Sequence, residues 1–87
     1  MYLAKIYVTY KPSIVDPQGL VIKSALERLH FDGIEKVNQG KYFQIHLDGE
    51  SEEAVSQTVE KIAETVLINH NTETFTYDIQ QVEGDAQ

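Results

Sequence analysis

The chain has 87 residues, no cysteine and a formal net charge of −7 at neutral pH. That length holds one domain with one core and leaves apolar surface that association with another chain would hide; the missing cysteines exclude a disulfide framework and a thiolate metal site. The acidic balance argues against nucleic acid, and with no bilayer-length apolar run and no basic-then-apolar leader at Met1, a soluble cytoplasmic protein with no membrane partner is expected.

From Tyr2 to Tyr10, apolar residues alternate: Tyr2, Ala4, Ile6, Val8 and Tyr10 share one side, and Leu3, Lys5, Tyr7 and Thr9 the other. This is a half-buried strand. Lys11-Pro12-Ser13 breaks it, and Asp16-Pro17-Gln18-Gly19 then reads as a helix start. Asp16 can accept from the free N–H groups of the first turn, while Pro17 at the first helical position has no donor to waste. An amphipathic helix is expected from Pro17 to His30, with Ile22, Ala25, Leu26 and Leu29 at helical spacing beside Val21. Gly19 in its first turn costs about 1 kcal/mol relative to Ala, so it points to a close backbone approach.

Phe31-Asp32-Gly33 ends that helix, Ile34 to Gln39 is a weaker strand candidate, and Gly40-Lys41 reads as a turn or bulge. Phe43, Ile45 and Leu47 then alternate with Tyr42, Gln44 and His46 as a second clear strand. Ser51 is an N-cap, with Glu52 and Glu53 suited to the positive end of a helix dipole. Val55, Val59, Ile62, Ala63, Val66 and Leu67 form the apolar stripe of this helix, and Glu60 and Glu64 lie one turn apart on its outer face. Asn69 to Glu73 is a polar loop, Thr74 to Val82 a last strand, and residues 83–87 a frayed tail to a single domain over 1–82.

The order β-α-β-β-α-β packs most simply as a ferredoxin-like α+β arrangement, an antiparallel sheet with two helices on one face. Leu3, Tyr7, Tyr42 and Val82 interrupt the polar far side of that sheet, and the first and last strands are long for so small a domain. A homo-oligomer follows, a homodimer or a dimer of dimers, formed by sheet-face contact or by exchange of the last strand between protomers.

Charge is uneven along the chain. Residues 1–48 carry six Lys/Arg and five Asp/Glu, about +1, whereas residues 49–87 set Lys61 against nine acidic groups, about −8. An acidic second half either meets a basic partner or serves as a solvated face. Catalytic patterns are missing: there is no Gly-rich phosphate loop, no nucleophile with a base at a recognisable spacing and no histidine pair at metal-ligand spacing. His30 at a helix end, His46 on an outward strand face and His70 in a loop have ordinary structural roles. No catalytic, cofactor-binding or metal-binding residue is assigned.

In its order of elements and motifs the chain resembles PurS, the small subunit of the three-component phosphoribosylformylglycinamidine (FGAM) synthase. The resemblance runs from Tyr2 to about Val82. It rests on Ala4-Lys5-Ile6-Tyr7-Val8, Val15-Asp16-Pro17-Gln18-Gly19, Ala25-Leu26, Val37 followed by Gly40-Lys41-Tyr42, Leu67 with Asn69, and Tyr77-Asp78-Ile79. It implies a non-catalytic subunit that joins PurQ, which releases ammonia from glutamine, to PurL, which activates the amide with ATP. The complex would use ATP, Mg and glutamine, with none bound by this chain. The resemblance also makes Asp16, Gln18, Gly19, Gly40, Lys41 and Tyr42 candidates for partner contact or interface. The sequence departs from the family pattern at Asn38 and Gln39, where a basic residue is common, and at Asn69-His70-Asn71-Thr72, which lacks a proline after the asparagine. The alternative from another class is a small dimeric amino-acid-sensing domain, in which Asp16 and Gly19 would supply the acidic residue and glycine of the ligand loop; a third is an oligomeric interaction domain of another pathway.

Overall fold

Strand β1 (Tyr2–Tyr10) runs through the middle of a three-stranded antiparallel sheet, flanked by β2 (Gly40–Leu47) and β3 (Glu73–Gln81) in the order β2-β1-β3. The computed structural model describes residues 1–82, so the expected frayed tail at 83–87 lies outside the described residues. Register follows from the apolar alternation, because a slip of one residue would turn every inward side chain to solvent. Ala4 pairs with Ile45 and Ile79, and Ile6 with Phe43 and Tyr77. The Lys11 N–H donates to the Thr72 carbonyl at 2.9 Å and the Val82 N–H to that of Met1 at 2.9 Å, closing both ends of the β1–β3 pair.

Between β2 and β3, helix α2 (Glu52–Ile62) starts on Ser51, whose Oγ accepts from the Ala54 N–H at 3.2 Å. Val55 and Val59 of α2, with Ala63, bury against Ala4, Ile6 and Val8 to make the core. Full burial of such side chains stabilises the fold by about 1.5–3 kcal/mol each for Val and Ile. Phe43, Ile45, Phe75, Tyr77 and Ile79 are half-buried around it.

Helix α1 (Pro17–Arg28) is seated differently. It buries only Gly19, while Leu20, Val21 and Leu29 are 56%, 63% and 67% exposed. The sheet therefore takes its cover from α2. The radius of gyration is 16.7 Å, where a compact domain of this length has about 12 Å. Both helices, the antiparallel sheet and the α+β class are as the patterning predicts; the apolar stripe of α1 faces outward. That helix ends in a Schellman motif: His30 takes a φ of 67°, its N–H donates to Glu27 O, and the Phe31 N–H donates to Leu26 O, both at 3.0 Å.

Two local expectations change. Ile34 to Gln39 joins no ladder, and Gly40-Lys41, expected as a turn or bulge, opens β2 opposite Thr9 and Val8. The reason is a tertiary contact: the Gln39 N–H, which a strand would spend on a neighbour, goes to Asp16. The stripe of the second helix also breaks, because Ala63–Leu67 is a π turn in which the Ile68 N–H reaches back to Ala63 O at 3.1 Å. The wider turn shifts the helical phase. Val66, expected in the apolar stripe, is 72% exposed.

Candidate functional site: the Asp16 cap and the clefts around it

Asp16 is the one polar residue buried among the described residues, at 8% exposure. Its Oδ1 accepts from the Gly19 N–H at 2.9 Å and caps α1. Its Oδ2 accepts from the Gln39 N–H at 2.7 Å, a tie across 23 positions of sequence. Local propensity placed the cap, with Pro17 fixing the first helical φ. The second bond is a tertiary one, for which the sequence carries no short-range signal. These N–H donors, that of Gln39 first and that of Gly19 next, hold the Asp16 carboxyl below its ordinary value, with a smaller contribution from the Lys36 charge.

Gly19 answers the question its cost raises. A Cβ there would overlap the backbone carbonyl oxygen of Val37 and lie 3.2 Å from Asp16 Cγ. The close neighbour is thus the chain's own segment leading into β2, and Asp16 and Gly19 together clamp it to the start of α1. Gly40 is similarly confined by the Val8 carbonyl and by Thr9 Cγ2 at 2.9 Å.

Of the six candidates, four line one shallow cleft at the end of the sheet: Asp16, Gln18, Gly40 and Lys41, with Gln39 and Glu73. Lys41 lies 3.4 Å from Glu73, an ion pair that bridges β2 and β3 across β1. Gly19 lines the adjoining cleft on the other side of the cap. Tyr42 is not brought together with them. It lies out of phase with Lys41 and stacks on Tyr7 of β1, with ring centroids 5.1 Å apart. It also accepts a hydrogen bond from Gln44 Nε2 at 2.8 Å. That pair is the exposed aromatic patch expected on the far face of the sheet.

Lys11, Lys23, Lys36 and the Val37 carbonyl also border these clefts and were not among the sequence candidates. Lys11, Lys36 and Val37 sit in segments without periodicity and Lys23 on the polar side of α1, so only the fold assembles them. The histidines take structural places: His30 is the left-handed residue of the α1 cap, and His70 Nε2 lies 2.6 Å from the Glu64 carbonyl of the π turn. Tyr77 donates from its hydroxyl to Glu60 Oε2 at 2.6 Å, and that carboxylate, ahead of burial, pushes the phenol pKa up. No cluster of three His, Cys, Asp or Glu side chains able to hold a metal occurs among the described residues. No helix among them is long and apolar enough to cross a membrane.

Comparison with known proteins gives a match over residues 3–81 to a family model described as PurS: phosphoribosylformylglycinamidine (FGAM) synthase. The phosphoribosylformylglycinamidine synthase subunit PurS of Synechocystis is 35% identical, over 95% of this chain and 83% of its own. Methanocaldococcus jannaschii PurS, described as one of the subunits of formylglycinamide ribonucleotide amidotransferase in the purine biosynthetic pathway, superposes with a TM-score of 0.86 at 28% identity, covering 95% of this chain and all (100%) of that one. A chain in a structure of PurLQS from Thermotoga maritima has the same fold, with a TM-score of 0.81 at 22% identity, covering 92% of this chain and 99% of its own.

Proposed function

The chain belongs to the PurS family, and on that premise we propose that it is the non-catalytic subunit that joins the PurQ glutaminase and PurL synthase of FGAM synthase so that ammonia passes between them. The observation that carries this is the match over residues 3–81 to a family model described as PurS: phosphoribosylformylglycinamidine (FGAM) synthase, which spans nearly the whole chain. The work of such a part is physical. Ammonia released into neutral water is protonated and loses its nucleophilic lone pair, so the two active sites must be held in register behind a closed route. In this reading the chain binds neither nucleotide nor metal; ATP, Mg and glutamine belong to its partners, and the assembly is cytoplasmic.

Two features of the surface support a joining role. The apolar residues of α1 stand uncovered, so a second copy of the chain would bury them in a homodimer or dimer of dimers. The candidate residues Asp16, Gln18, Gly40 and Lys41 meet at one end of the sheet, where Asp16 and Gly19 hold the backbone rigid for a partner; Tyr42 would serve the opposite face. Mixing the chain with PurL and PurQ and following the mass of the assembly tests this. A three-component complex is expected, and a PurL–PurQ complex that excludes the chain would end the proposal.

A further inference from the structure

Most of the positive charge of this acidic chain is gathered at one end of the sheet. The strand end marked by Tyr10, Gly40 and Glu73 carries Lys11, Lys36 and Lys41, with Lys23 on the facing turn of α1. The opposite end, where β2 runs into α2, carries Asp48, Glu50, Glu52 and Glu53. Two clefts at the basic end, of about 270 and 250 Å³, share Pro12, Ile14, Lys36 and Asn38 and so form one groove on either side of the Pro12–Ile14 loop. Its apolar floor continues through Val15, Leu20 and Val37.

The lysines of the groove are unequally committed. Lys23 pairs with Glu27 at 3.5 Å and Lys41 with Glu73 at 3.4 Å, whereas neither Lys11 nor Lys36 makes an ion pair among the described residues. The larger cleft is lined by both free ammonium groups and by no carboxylate. The other is bordered by two acidic residues, Asp16, which is occupied with the Gly19 and Gln39 amides, and Glu35, which lies next to Lys36 in sequence, so the positive character of the groove is concentrated in the larger cleft. The loop between the clefts is already held, by Lys11 N–H to Thr72 O and Ile14 N–H to Lys11 O, both at 2.9 Å, so little ordering remains for binding to supply.

We infer that this groove docks an acidic, partly apolar peptide segment of a synthase partner, with Lys11 and Lys36 facing its carboxylates. The chemistry favours a peptide over a free phosphate. The groove has no arginine fork, and the helix N-terminus that would draw a phosphate is already capped by the Asp16 carboxylate. An apolar floor flanked by ammonium groups suits a chain that alternates acidic and apolar side chains. This rests on the joining role proposed above and names the surface and chemistry through which one partner is held.

The test compares assembly of the intact chain with PurL and PurQ for the unaltered protein, for Lys11→Glu/Lys36→Glu and for Lys11→Gln/Lys36→Gln. Lys61→Glu, on α2, lowers the net charge by the same two units as the Gln pair and is the control for that change made away from the groove. At roughly 50 mM salt the Glu pair is expected to weaken assembly by about tenfold or more and the Gln pair by less, with the differences collapsing near 0.5 M salt. Lys61→Glu should stay within about twofold of the unaltered chain. Thermal midpoints of all variants separate loss of folding from loss of docking; should the Glu pair fail to fold, the Gln pair and the salt dependence decide. Equal assembly by unaltered and Gln- or Glu-substituted chains overturns the inference, as does an equal loss with Lys61→Glu. Loss of self-association with unchanged binding to PurL and PurQ overturns it too, by assigning the groove to a second copy. A shift of the Lys11 and Lys36 resonances by millimolar inorganic phosphate, with assembly unaffected by either pair, would assign it to a free anion. If the unaltered chain assembles with neither partner, the joining role falls and this inference with it.

Discussion

Asp16 carries more of the fold than its place in the sequence suggests, because its two oxygens fasten two segments that are distant along the chain. Its folded pKa is lowered, so the stability it adds is complete above its unfolded value of about 4 and fades as pH falls through the lower folded value. Asp16→Asn should therefore lower the thermal midpoint at neutral pH, and the gap to the unaltered chain should narrow on acidification below about pH 4. A gap that stays constant with pH would remove the carboxylate from the account. Gly19 gives the converse case. Gly→Ala in a helix ordinarily stabilises by about 1 kcal/mol, but here the added methyl meets backbone, which cannot swing away. A net loss of about 1–2 kcal/mol in denaturant unfolding is expected, and a gain would mean that the Val37 segment is free to move. At this scale the cap was legible in the sequence, and so was the anomaly of the glycine. The partner of each was not, since Gln39 and Val37 are tertiary neighbours in a stretch with no periodicity.

Among the elements, the strands were the most legible. Tyr2–Tyr10 and Glu73–Gln81 follow their alternation closely, because one face of each must bury against α2. The segment Ile34 to Gln39 failed as a strand because its amide is spent on Asp16, which no alternation could reveal. The second helix was legible up to the point where its period changes. Val59 and Val66 sit on one predicted stripe, yet the first is fully buried and the second 72% exposed past the π turn. Val59→Ala should cost about 2 kcal/mol, from two lost methyl groups and the cavity left behind, whereas Val66→Ala should be close to neutral. Equal costs in chemical denaturation would mean that the helix continues in regular α form. Helix α1 shows the limit of periodicity: its stripe was read correctly, but a stripe states that a face wants cover and leaves open which chain provides it.

At the scale of the whole molecule, an elongated chain with an uncovered helix face, a charged groove at one end and carboxylates at the other is well suited to being held between other proteins. The family was legible from motifs spread over nearly the full length, none of them telling alone, and the match over residues 3–81 establishes it. The candidate site was legible in part. Asp16, Gln18, Gly40 and Lys41 do converge, Tyr42 lies on the other face, and the lysines that give the groove its charge become neighbours only through the fold. In the proposed role this chain serves the transfer of ammonia and leaves the chemistry at either end to its partners. The most direct measurement is the rate of FGAM formation by PurL and PurQ, with and without the chain, first with glutamine and then with ammonium salt as nitrogen source. The glutamine-dependent rate is expected to need the chain and the ammonia-dependent rate to be independent of it. A full glutamine-dependent rate in its absence would contradict that role.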